Sequence, residues 1–171
     1  MFFFYILINT IFNNSQITDD INAKKDYECT NETVEIITKE NYYLDNNIWK
    51  LEIPIINLEA EISEGTEKEI LNKYIGHFIE TGKSFGNIGL AAHNRGYPVN
   101  YFKNIKQLKN GDEIYYTYNG VRRKYIVIIN TIIKDTEWKY LENTEDNRLT
   151  LITCVENQPN YRRCIQAIEY K

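Results

Sequence analysis

Apolar residues in this chain gather into short runs separated by polar turn signals, a pattern that predicts strands rather than long helices. "LEIPII" (Leu51 to Ile56) alternates like a strand, and Pro54 points to an edge position because proline cannot donate to a ladder. "EGTEKEILNKY" follows and predicts a short helix, with Thr66 and Glu69 as a capping box. "NIGLAAH" (Asn87 to His93) is a strand of small and apolar residues that ends at a histidine and opens into the loop "NRGYP". The clearest hairpin joins "DEIYYTY" (Asp112 to Tyr118) to "VRRKYIVIINTII", since Asn119-Gly120 suits the positive φ angles of a type I′ turn. A polar segment over 134–148 carries Trp138 and leads into the strand "LTLITC", and a last strand covers about 161–170.

About seven or eight short strands with one or two short helices predict a mainly β fold, a closed or nearly closed barrel, with a sandwich as the alternative. Upstream the pattern changes. Residues 1–12 form a short hydrophobic segment, 13–47 read as a polar stalk or linker in which "TVEIIT" could form a strand, and 48–171 form the compact domain. No internal repeat or low-complexity tract interrupts it.

Composition narrows the function. The chain has 171 residues, a net charge of −4 and a pI near 5.3, without the basic footprint of a nucleic-acid partner. Fourteen tyrosines reinforce the strand reading. Three cysteines, Cys29, Cys154 and Cys164, are too few for a disulfide scaffold, and no Cys/His spacing suggests zinc. No carboxylate cluster reads as a calcium site, and no cofactor is implied.

Candidate chemistry concentrates around "LTLITCVENQPNYRRC". If the two strands form a hairpin centred on Asn157-Gln158-Pro159, residues whose numbers sum to 316 lie opposite each other. Cys154 then faces Arg162 and shares its face of the sheet, while Arg163 points the other way. One residue of slip would exchange the two, so Arg163 is the fallback. A guanidinium beside a thiol can favour the thiolate, clamp a carbonyl or stabilise an oxyanion. Thiol chemistry also needs a proton shuttle. His93, after its strand, is the candidate; His77, flanked by apolar residues near the end of the helical stretch, reads as a packed histidine with satisfied nitrogens. Taken singly, each of these residues also fits an ordinary structural role.

The pieces "IPII", "GHFIETGKSFGNIGLAAHN", "YF..I..LKNGDEIYY", "TLITC" and an arginine opening the last strand resemble, in the right order, the sortase family of Gram-positive cysteine transpeptidases. The resemblance covers about 50–171. It implies Cys154 as nucleophile, His93 as general acid/base and Arg162 as the clamp for substrate carbonyls and the oxyanion. It further implies cleavage of an LPXTG-like sorting signal on secreted proteins through a thioacyl-enzyme, with transfer to a cell-wall precursor amine. The segment 134–148 corresponds to a loop that helps select the sorting signal, making Trp138 and Tyr140 candidate substrate contacts. The chain lacks the Asp-Pro-aromatic lid of the pilin-polymerising class and reads as housekeeping-like or class D-like. Two further departures are alanine before His93 and Asn94 after it.

By the same resemblance the protein is expected at the outer face of a Gram-positive cell membrane. "FFFYILINTIF" is shorter than the roughly 20 residues of a spanning helix. It is read as the tail end of a signal anchor, or else as a hydrophobic start that packs on the domain. Two other functions stay open at this point: a transpeptidase acting directly on peptidoglycan peptides, and a non-catalytic cell-surface barrel with Cys154 as buried filler. Cys164, diagonal to Cys154, is too far for a disulfide, so both thiols are expected to remain reduced.

Overall fold

The computed structural model describes residues 48–171; the expectations for 1–12 and 13–47, and Cys29, lie outside the described residues. Eight strands close into one barrel. They are β1 (Trp49–Ile53), β2 (Leu58–Glu64), β3 (Ile75–His77), β4 (Asn87–Ala91), β5 (Glu113–Tyr118), β6 (Val121–Lys134), β7 (Arg148–Val155) and β8 (Gln158–Glu169). Their spatial order is β1-β2-β3-β4-β7-β8-β6-β5, with β1 also paired to β5 so that no edge remains. β2–β3 and β4–β7 pair in parallel, and the other neighbours pair antiparallel.

Several local expectations need correction. β1 stops at Ile53, and Pro54 opens a 3-10 turn (Pro54–Ile56) instead of sitting in an edge strand. That is where a residue with fixed φ and no N–H costs least. The only α-helix among the described residues, α1, is one turn, Lys68–Leu71, capped at Glu67 without a side-chain bond, so the Thr66–Glu69 capping box does not form. β3 claims Ile75–His77 for parallel pairing with β2, which takes His77 out of the helical stretch. The "NIGLAAH" strand ends at Ala91, two residues before the histidine. The predicted β5–β6 hairpin is present, with Asn119 and Gly120 at φ 49° and 74°.

The non-alternating runs have a common cause. Leu149 and Leu151 of β7 face the barrel interior, while Thr150 and Ile152 on the opposite face are buried as well. The 134–147 segment covers that outer face, and Tyr140 and Leu141 pack on a second small apolar cluster of Ile133, Ile152 and Cys164. A strand covered on both sides reads as continuous apolar and β-branched sequence.

A buried polar knot pins the cover. Asn87 Nδ2 donates to the Tyr140 and Glu142 carbonyls at 2.8 and 2.9 Å, and its Oδ1 accepts from Thr150 Oγ1 at 2.7 Å. Gln166 Nε2 adds a bond to the same Tyr140 carbonyl at 3.2 Å. Removing Asn87 would leave these buried groups under-bonded. Asn87→Ala is expected to lower unfolding free energy by about 2–3 kcal/mol, read from the denaturant midpoint. A loss below about 0.5 kcal/mol would show that the cover is held by its apolar contacts alone.

Candidate active site

Two registers bring the candidate residues together. β4 and β7 pair from Asn87↔Arg148 to Ala91↔Ile152, a constant offset of 61 residues. Carried two residues past the end of β4, that offset sets His93 beside Cys154. On the other side of β7, Cys154 pairs directly with Arg162, and Arg163 pairs with Thr153 on the opposite face.

The connection differs from the expected turn. Glu156-Asn157 form a tight turn with Asn157 at φ 57°, and Val155 pairs with Gln158. A bulge containing Pro159, Asn160 and Tyr161 then restores the register in which Cys154 faces Arg162. Bulges re-aim side chains where a regular ladder would not.

His93 is held through its backbone neighbours. Thr153 Oγ1 donates to the Ala92 carbonyl at 2.6 Å, and Asn94 Nδ2 donates to the Cys154 carbonyl at 2.7 Å. The His93 carbonyl itself accepts from Phe102 N–H at 3.1 Å. Asn94 is therefore engaged with the backbone of Cys154. Arg95 adds an exposed clip to the β7–β8 turn, at 2.5 Å from Glu156 and 3.0 Å from Asn157. The imidazole stacks on Tyr97, with ring centroids 3.5 Å apart and planes 6° from parallel, and its Nε2 is buried without a hydrogen-bond partner. Desolvation holds the His93 pKa below its ordinary value of 6.5, favouring the neutral ring.

Arg162 is half-buried, and its Nη1 donates to the Pro159 and Tyr161 carbonyls at 2.6 and 2.8 Å. Its Nη2 lies 3.9 Å from Asp135. The bulge carbonyls thus fix one arm of the fork and leave the remaining N–H donors for a ligand. Arg163 instead binds Asn130 Oδ1 at 2.9 Å.

Cys154, His93 and Arg162 all line one groove of about 500 Å³. Apolar Ala92, Ile133 and Ile152 contribute to the lining, and Trp138, 64% exposed, and half-buried Tyr140 stand on the covering segment. Cys154 is exposed, which does not fit a buried filler, whereas Cys164 is fully buried. Burial, with a smaller effect from Glu137, pushes the Cys164 thiol up to about 12. The two are free thiols, with Cys164 paired in register to Ile152.

His77 lies elsewhere, fully buried, with Nδ1 2.9 Å from Glu64 and Nε2 within 3.0 Å of the Gly82 carbonyl and 3.1 Å of Thr81 Oγ1. Glu64 also pairs with Lys83. Every ring nitrogen is committed, as befits a packed histidine. Tyr97 and Asp135 were not anticipated. Tyr97, four residues past His93, was the sort of loop aromatic that could have been suspected, but nothing in its spacing specifies a stack.

A thiol, an imidazole and a guanidinium at one groove can supply nucleophilic attack, proton transfer and oxyanion stabilisation on a barrel wall. Comparison with known proteins gives this layout a family. Residues 51–169 match the model of the sortase domain. Sortase A of Bacillus anthracis is 31% identical over 121 residues, 70% of this chain and 58% of that protein. Sortase A of Listeria monocytogenes is 30% identical over 115 residues, 67% of this chain and 52% of that protein. The solved structure of a lid mutant of sortase A from Corynebacterium diphtheriae is 25% identical, with a TM-score of 0.68 over 72% of this chain and 70% of that one. The chain belongs to the sortase family, and it spans little more than half the length of the two Sortase A sequences.

Two measurements check the site's electrostatics. The His93 imidazole should titrate below pH 6.5 by NMR. Its folded pKa is the lower one, so the unfolded chain binds more protons, and this group weakens the fold as pH falls through about 6.5. A midpoint at or above that value would mean the ring is well solvated. Brief alkylation of the native protein should label Cys154 and spare Cys164; equal labelling would show that the Cys164 cluster opens readily.

Proposed function

We propose that this protein is a sortase-type cysteine transpeptidase. It cleaves an LPXTG-like sorting signal on secreted proteins and transfers the acyl group to a cell-wall amine. The observation that carries the reading is the convergence of Cys154, His93 and Arg162 on one groove of a sortase-family barrel. An extended peptide lying along the apolar groove presents its Thr–Gly carbonyl to the Cys154 sulfur. Attack forms a tetrahedral intermediate whose oxyanion is held by the free donors of Arg162. His93 takes the Cys154 thiol proton as the sulfur attacks and passes it to the departing amine as the C–N bond breaks, and a thioester remains on Cys154. An acceptor amine then attacks the thioester carbon, the C–S bond breaks and His93 takes up the amine's proton.

Tyr97 confines the imidazole to one plane, and Thr153 and Asn94 hold the backbone on either side of it. Trp138 and Tyr140 supply aromatic surface for the apolar residues of the sorting signal. The setting is the outer face of a Gram-positive cell membrane, with the N-terminal segment as the attachment. Among the described residues no helix is long and apolar enough to cross a membrane.

Incubation with an LPXTG-type peptide should yield a thioester adduct on Cys154 by mass spectrometry, and added amine should convert it to a transpeptidation product. Cys154→Ala abolishes both. His93→Ala lowers turnover roughly 10²–10⁴-fold, and Arg162→Ala roughly 10²–10³-fold, with circular dichroism unchanged. Absence of an adduct on the folded protein would refute the assignment. Full transfer by Cys154→Ala would refute it too.

A further inference from the structure

Cys154 borders two cavities. Besides the groove described above, it lines a second cleft of about 310 Å³ at the end of the barrel, between the loop after His93 and the β7–β8 turn. The character of this cleft is different. Its charged lining is Arg95, Lys103, Lys106 and Arg163 against a single carboxylate, Glu156. Glu156 is already paired with Arg95, while Lys103, Lys106 and Arg163 make no ion pair with any carboxylate among the described residues. Three uncompensated cations in one cleft stand out on a chain whose net charge is −4. Such a concentration favours an anionic ligand by Coulomb attraction.

Arg163 is also mounted for the task. Asn130 Oδ1 accepts from its Nη1 at 2.9 Å, and the Asn130 amide is itself tied to the Lys106 and Leu108 carbonyls at 3.2 and 2.6 Å. The guanidinium is thereby fixed to the same segment that carries Lys106. Alternation along β8 turns it away from the Cys154 groove, so it cannot double for Arg162.

We propose that this cationic cleft is the acceptor subsite, which binds an amine-bearing peptide by its carboxylate groups and delivers the amine to the thioester from the side opposite the sorting signal. The inference rests on the transpeptidase reading above. In the acyl-enzyme the apolar groove still holds the donor peptide, leaving the second cleft as the open approach to the same sulfur. A carboxylate anchored by Arg163, Lys103 and Lys106 holds the acceptor while its neutral amine forms the C–N bond. The C–S bond breaks, the amine's proton passes through His93, and Cys154 is regenerated as the thiol.

The test measures partitioning of a preformed thioacyl-enzyme, made with an LPXTG-type peptide, between two acceptors. These are Gly-Gly-Asp-Asp and its neutral counterpart Gly-Gly-Asn-Asn with an amidated C-terminus. The parent should prefer the acidic acceptor by about tenfold in kcat/KM, the effect of one charge-assisted contact, and added salt should shrink the preference. Arg163→Gln should bring the ratio close to one. Lys103→Gln with Lys106→Gln, both exposed positions, should do the same without threatening the fold. Because the readout is a ratio within one preparation, a general loss of activity does not mimic the result. A parent without the preference, or a preference that survives in both variants, would overturn the acceptor subsite. Failure to form the thioacyl-enzyme at all would instead overturn the transpeptidase reading.

Discussion

The parallel alignment of β4 with β7 is the constraint on which the site depends. Parallel strands cannot be joined by a tight turn, so His93 and Cys154 meet only because the barrel closes with two distant segments side by side. One residue of slip would turn the cysteine to the opposite face. The alignment is secured where it matters: Thr153 holds the Ala92 carbonyl and Asn94 holds the Cys154 carbonyl. Both bonds lie beyond the formal end of β4, in the stretch where a ladder would otherwise fray. The residues flanking the candidate acid/base are thus bonded to the candidate nucleophile and its neighbour.

Across β7, the antiparallel partner supplies Arg162, and here a tight turn is possible but insufficient. The Val155↔Gln158 pairing alone would bring a different β8 residue opposite Cys154. The bulge at Pro159, Asn160 and Tyr161 corrects this, and its carbonyls serve again as acceptors for the Arg162 guanidinium. One irregularity therefore sets both the position and the orientation of the side chain. The adjacent arginines, nearly indistinguishable in sequence, face different cavities with different partners, Asp135 and bulge carbonyls for one, Asn130 for the other.

Burial differentiates the two thiols as well. They share a strand-pair face, yet the covering segment seals Cys164 beneath Tyr140 and Leu141 while Cys154 stays open at the groove. The cover is held from below by Asn87, Thr150 and Gln166, polar residues that would be poor choices for a barrel wall exposed to solvent on neither side. They are satisfied because the irregular segment above them brings carbonyls with no ladder partner of their own. The same knot that stabilises the outer face thus shapes the groove's far wall.

By itself the sequence determined the β architecture, because strand periods, the Asn-Gly turn and β-branched runs are local signals. It also singled out the cysteine, the histidine and the Cys154–Arg162 pairing, since hairpin register is arithmetic along a short stretch. Helix α1 was overestimated because β3 competes for its C-terminal residues through a parallel pairing that no local pattern announces. The 316 register survived for a reason sequence did not contain: a shorter turn and a bulge that offset one another. Only the tertiary structure decided that His93 lies beside Cys154, that Tyr97 stacks on it, and that Arg163 faces a second cleft. Each of these depends on contacts between segments far apart in the chain, whose relative placement is set by barrel closure and burial rather than by any residue's own preference.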